Sequence, residues 1–175
     1  MVDPFVAGVV LWCAFALIAM IDGAYLHLFK YRLHTRAESY VEHVTHTLRA
    51  VTFPPLVYLL VYQRSAGIAL WAATALVVVD VVIEAWDVLI ERRSRAGLGG
   101  LSPFEYLIHV LSITLNSAGT ALLLIARPAS AWRWDAAAGA PPPDVVRWIA
   151  LALIAGGVCT AIQHLWLLQP KYRAA

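Results

Sequence analysis

Apolar residues fill five long stretches of this chain, with short polar connections between them. The stretches cover roughly residues 5–29, 37–62, 66–90, 103–126 and 145–168, and each reaches the ~20 residues that an α-helix needs to cross a bilayer. The connections KYRLHTR, ERRSRAGLGGLSP and RPASAWRWDAAAGAPPPD are rich in charge, glycine and proline, as helix-breaking loops are. Ser102 offers an N-cap to the fourth stretch, with Pro103 at the first helical position and Glu105 at N3. Asp144 is placed to cap the fifth, and Pro170 stops it. Pro54-Pro55 predicts a kink inside the second, because each ring removes a helix donor and crowds the preceding turn. The first stretch lacks a basic leading region and a small-residue cleavage site, so it reads as a retained helix rather than a signal peptide.

Composition turns that pattern into a class. The 175 residues are 61% hydrophobic and only 14% charged, against about a quarter charged in an ordinary globular protein. Mean hydropathy is +0.72. The expectation is an all-α integral membrane bundle of five transmembrane helices, forming one domain over residues 1–175. Basic residues bias its orientation. Lys30, Arg32, Arg36, Arg92, Arg93, Arg95, Lys171 and Arg173 would share one face, and Arg64, Arg127, Arg133 and Arg147 the other. The richer face should be cytoplasmic, with the N-terminus outside and the C-terminus in the cytoplasm, in a bacterial inner (plasma) membrane. Trp132, Trp134 and Trp148 then fall at the outer interface. A net charge of +2 with no basic-aromatic module argues against nucleic acid as a partner. Cys13 and Cys159 stand alone in apolar runs, which excludes a disulfide framework and predicts two buried small hydrophobes.

The charged minority is distributed unevenly. All six histidines and eight of the eleven acids fall in the half of the bundle assigned to the cytoplasm. Side chains three, four and seven apart share a helix face. Asp80, Glu84, Asp87 and Glu91 make one acidic stripe on that spacing, and Glu105, His109, Ser112 and Asn116 repeat it. Glu42, His46 and Arg49 form a third stripe, Thr160 and His164 a fourth, and the first helix supplies Asp22 and His27 separately. EHVTHTL at 42–48 and EYLIHVL at 105–111 share the pattern E-x-x-x-H-x-L. Counted at ~1.5 Å per residue from the helix ends, Asp22, His46, Glu84, His109 and His164 lie at a common depth of roughly 8 to 12 Å. Arg49 and Asp80 lie slightly deeper and are expected to pair, since an isolated charge there is costly.

Imidazoles and carboxylates converging at one depth from several helices are the donors that iron, manganese or zinc takes. Helical bundles build dimetal centres from Glu and His one turn apart, and a metal also neutralises carboxylates that would otherwise be costly to bury. The candidate ligands are Asp22, His27, Glu42, His46, Glu84, Asp87, Glu105, His109 and His164, with Glu84 or Asp87 bridging the metals and acting in catalysis. The spacing of four differs from the Glu-x-x-His of soluble dimetal bundles. Glu38, Glu91 and His34 read as solvated, His43 as equally a ligand or a neighbouring or exposed residue, and Glu105 as equally suited to capping with Ser102.

The leading expectation is therefore a metal-dependent membrane enzyme with two irons. It would oxidise or hydroxylate a lipid-soluble small-molecule substrate and draw electrons from a transfer partner, and metal-dependent hydrolysis is a variant of the same site. The alternatives are a b-type haem or quinone electron carrier, with His46 and His109 or His164 as axial ligands, and a proton or metal-ion transporter.

Overall fold

A computed structural model describes residues 2–173. Five helices are long and apolar enough to cross a membrane, and no strand occurs among the described residues. They are α1 (Pro4–Met20), α2 (Tyr40–Val57), α3 (Gly67–Ser94), α4 (Pro103–Ile125) and α5 (Asp144–Leu167). Two of them continue in wider π-helical turns, α1 through Ile21–Lys30 and α2 through Tyr58–Tyr62.

Local chemistry explains the ends. Asp3 Oδ1 accepts from the Phe5 N–H at 2.9 Å and starts α1, and Ser102 Oγ accepts from the Glu105 N–H at 3.2 Å and starts α4. Asp144, expected as a cap, is instead the first residue of α5. Pro143 holds the cap position and makes no side-chain bond there. Helix α2 begins at Tyr40 rather than near 37, and α3 runs on to Ser94, four residues past its expected end. The chain stays helical through Pro54-Pro55, and the wider hydrogen bonding follows at Tyr58.

The helices alternate in direction. α1 lies on α4, while α2 packs against both α3 and α5. Small residues set the closest crossing. A methyl on Gly119 would meet Trp12 Cδ1 at 2.6 Å, and one on Gly8 would meet Leu123 Cγ at 2.9 Å, so α1 and α4 approach nearly backbone to backbone. Trp12 is wholly buried there and donates its indole N–H to Thr120 Oγ1 at 3.3 Å.

One half of the bundle is a continuous apolar core including Phe5, Trp12, Leu56, Leu60, Leu70 and Leu123. The outer faces carry large apolar side chains in the open, among them Leu17, Val82, Leu89 and Ile125. Cys159 is exposed on this apolar exterior and Cys13 is half-buried, so neither is the buried residue expected. The other half holds the histidines.

Candidate functional site: a buried histidine-carboxylate cluster

Five helices bring side chains to the histidine end, and the π-helical segment explains the contribution of the first. Hydrogen bonds from i to i+5 bring residues five apart over one another, where an α-helix would turn them to different sides. Asp22 and His27 are five apart, and His27 Nε2 lies 3.3 Å from Asp22 Oδ1. Their separate appearance in the sequence is thus an artefact of counting in α-helical steps.

The other donors gather around them. His109 Nε2 is 2.9 Å from the same Asp22 oxygen, and its Nδ1 meets the Glu91 carboxylate. His46 Nε2 stands 3.2 Å from Asp87 Oδ2 and 3.9 Å from Glu42 Oε1. Glu42 Oε1 is also 3.8 Å from His27 Nε2. The rings of His27 and His46 are 4.5 Å apart edge to face, and those of His27 and His109 6.0 Å. Asp22, His27 and His46 offer donor atoms all within 4.8 Å of one another, and so do His27, Glu105 and His109. His27 belongs to both groups.

One member was not legible as part of the site. Arg95, which reads as a cytoplasmic-face linker residue, is fully buried at its centre. Its Nη1 donates to Glu42 Oε2 at 2.6 Å and its Nε to Glu105 Oε1 at 2.7 Å, while Nη2 lies 3.1 Å from His27 Nε2. The four extra residues of α3 carry it inward. Gly99 and Gly100 then reverse the chain with φ of 84° and 91°, the left-handed region that favours glycine, and the Gly100 N–H returns to the Arg95 carbonyl at 3.0 Å. Burial alone would weaken the charged guanidinium, but the bonds and charges of Glu42 and Glu105 outweigh it and hold the Arg95 pKa above its ordinary value.

Several expected positions shift accordingly. Glu105 makes only half of a capping box, because its carboxylate turns to Arg95. Glu91, read as solvated, is buried against His109, whereas Glu38 is exposed as expected. Arg49 reaches Asp80 at 3.7 Å but bonds Glu84 Oε1 more closely, at 2.6 Å. Asp80 is further held by Thr52 at 2.9 Å and Asn116 at 3.3 Å. Glu84 therefore belongs to a polar layer deeper than the histidines, and Asp87 is the α3 carboxylate that the fold brings to His46. His164 sits to one side, its ring 5.1 Å from His43 and 6.4 Å from His46. His43 Nδ1 lies 3.3 Å from Arg173 Nη2, which closes that flank.

The cluster is not internally satisfied. Glu42 Oε1, His46 Nε2 and Glu105 Oε2 are buried without a hydrogen-bond partner, as are His43 Nε2 and His164 Nδ1. A cavity of about 10 Å³, enough for one water-sized occupant, lies among His27, Glu42, His43, His46 and His164. Asp22, Glu42, Asp87, Glu91 and Glu105 bring five carboxylates together; Arg95 meets Glu42 and Glu105, His109 faces Asp22 and Glu91 with its two ring nitrogens, and His46 faces Asp87. No protein-family model, curated protein or solved structure matches this chain.

Proposed function

We propose that this chain is an integral membrane enzyme built around a two-metal histidine-carboxylate centre. Two irons are favoured; manganese and zinc accept the same donors. The observation that carries the reading is the pair of buried carboxylate oxygens left without partners, Glu42 Oε1 and Glu105 Oε2, inside a cluster of five carboxylates and three imidazoles. A buried polar atom without a partner costs about 1–3 kcal/mol, more when charged, and bound divalent cations would meet those oxygens.

Asp22, His27, Glu42, His46, Asp87, Glu91, Glu105 and His109 would hold the metals. Arg95 bonds one oxygen of Glu42 and one of Glu105, and so fixes which oxygen of each faces the centre. Glu84 is assigned with Arg49 to structural support, and His164 with His43 to the rim.

A dinuclear iron centre supplies dioxygen activation for oxidation or hydroxylation. Hydroxylation of a C–H bond by dioxygen consumes two electrons and two protons and releases water, so the reading includes an electron-transfer partner. The substrate class is lipid-soluble, because the exterior around the cluster is apolar, with Tyr25, Val41, Leu48 and Val88 exposed. Exposed side chains such as Leu89 and Val82 would form a large apolar patch in water, which supports a bilayer as the surroundings. The cytoplasmic face of a bacterial inner membrane is the assigned side, from the excess of Lys and Arg at the histidine end.

Two observations favour this over the alternatives. The cavity of about 10 Å³ beside His27, Glu42 and His46 is far smaller than a haem macrocycle, and the donor group of His27, Glu105 and His109 extends outside it, which favours separate ions over haem b. The opposite half of the bundle is a packed apolar core, which argues against a transport path. Elemental analysis of the gently purified full chain tests the reading. About two iron atoms per chain are expected, falling below one in His46→Ala and His109→Ala. A metal-free protein whose activity survives both substitutions overturns it, and a haem absorption band replaces it with the cytochrome alternative.

A further inference from the structure

The end of the bundle away from the histidines holds a larger opening. A cavity of about 570 Å³ opens there between the turn before α3 and the loop after α4. That volume is within the range of small-molecule pockets. Its walls carry Arg64, Arg127, Arg133 and Asp135, with Ser65 and Ser130 between them.

The charge on those walls is unbalanced. Arg133 and Asp135 are exposed and face each other at 3.4 Å. Arg64 and Arg127 have no carboxylate partner among the described residues. Arg64 stands 4.5 Å over the ring of Phe5, and its backbone φ is 50°, unusual outside glycine. Arg127 is 7% exposed, gives one N–H to the Leu60 carbonyl and keeps a buried Nε without a partner. Burial, and then the neighbouring Arg64 charge, push its pKa down to about 10. Two guanidiniums without a carboxylate partner on one cavity wall make that wall positive.

The wall opposite is fixed. Gly67 has a φ of 58°, and a methyl on it would meet the Ala136 carbonyl at 2.5 Å and that of Trp134 at 3.0 Å, so the loop rests directly on the start of α3. We propose that this cavity binds a phosphate-bearing anion between the Arg64 and Arg127 guanidiniums. Planar forked donors match the oxygen geometry of phosphate, and the volume leaves room for the organic part of a phosphodiester. The anion has two sources, a phospholipid headgroup or a free phosphate compound; the first rests on the membrane placement proposed above.

The test uses the full chain in neutral detergent. One arm titrates inorganic phosphate against tryptophan fluorescence, since Trp132 and Trp134 adjoin the cavity. The other counts retained phosphatidylglycerol and phosphatidylcholine by native mass spectrometry. Saturable binding in the lipid arm alone assigns a headgroup, and in the phosphate arm a soluble anion. In either case Arg64→Gln should weaken binding about tenfold or more. Its side chain makes no hydrogen bond to the described residues, so folding should survive. Gly67→Ala, which displaces the loop and leaves both arginines, should weaken it too. No saturable binding in either arm, or binding unchanged in Arg64→Gln and Gly67→Ala, overturns the proposal. Metal content is independent of both results.

Discussion

Replacing Arg95 with methionine should be among the most damaging single changes in the molecule. The guanidinium is fully buried, and its two carboxylate partners are at most 2% exposed. At contacts of 2.6 and 2.7 Å the charge centres are ~4 Å apart, which is about 4 kcal/mol per pair at an effective dielectric near 20. Desolvating the three ions offsets much of that gain. The substitution, however, leaves Glu42 and Glu105 buried and facing each other's charge, and breaking such an arrangement costs about 3–5 kcal/mol. For a chain of this size, that corresponds to a melting temperature lower by roughly 6 to 20 °C.

The assay is thermal unfolding of the detergent-solubilised chain followed by size-exclusion. It is run for Arg95→Met, Glu42→Gln and the double variant. If the ion pair is as described, the double variant should be less damaged than the two singles together, with a coupling of about 0.5–3 kcal/mol. The triple variant with Glu105→Gln should recover further, because neutral groups replace the stranded charges. A melting temperature for Arg95→Met within 2 °C of the parent, ~1 kcal/mol at this size, together with additive single effects, would refute the placement of Arg95 at the centre of the cluster.

The remaining expectations concern neighbouring residues. Asp87→Asn should weaken metal affinity by about tenfold or more and lower metal content, while Glu84→Gln keeps it, measured by elemental analysis; equal losses would return Glu84 to the ligand set. Arg49→Met should cost about 3 kcal/mol or more in thermal stability, because Glu84 is then left unpaired, with metal content unchanged. Gly119→Ala should destabilise by about 1–3 kcal/mol in the same unfolding assay, since the new methyl collides with Trp12 across the α1–α4 crossing. Chelation of the purified protein should lower its melting temperature and re-addition of iron restore it, whereas a protein indifferent to both would point to a cluster that holds no ion.

Much of the architecture was legible because hydropathy acts over whole segments. Five runs of apolar residues, with Ser102, Pro103 and Pro170 as punctuation, specify five helices without reference to any long-range contact. Their alternation then puts the odd-numbered C-termini beside the even-numbered N-termini, so the gathering of histidines and acids at one end follows from topology alone. Periodicity also identified which stripes face inward, including Glu42 with His46 and Glu105 with His109.

Pairing was another matter. Glu84 and Asp87 are three apart on one stripe, and only the rotation of α3 about its axis decides which meets His46 and which meets Arg49. Asp22 and His27 join because the first helix widens into π turns, a change of period that no count in steps of three and four detects. Arg95 looks like any linker arginine, and a sequence can register its charge but not the turn at Gly99 and Gly100 that leaves it inside. Segment burial is a sum over many residues and survives local error. The partner of a single charge depends on a few ångströms of helix rotation and loop closure, which only the packed bundle determines.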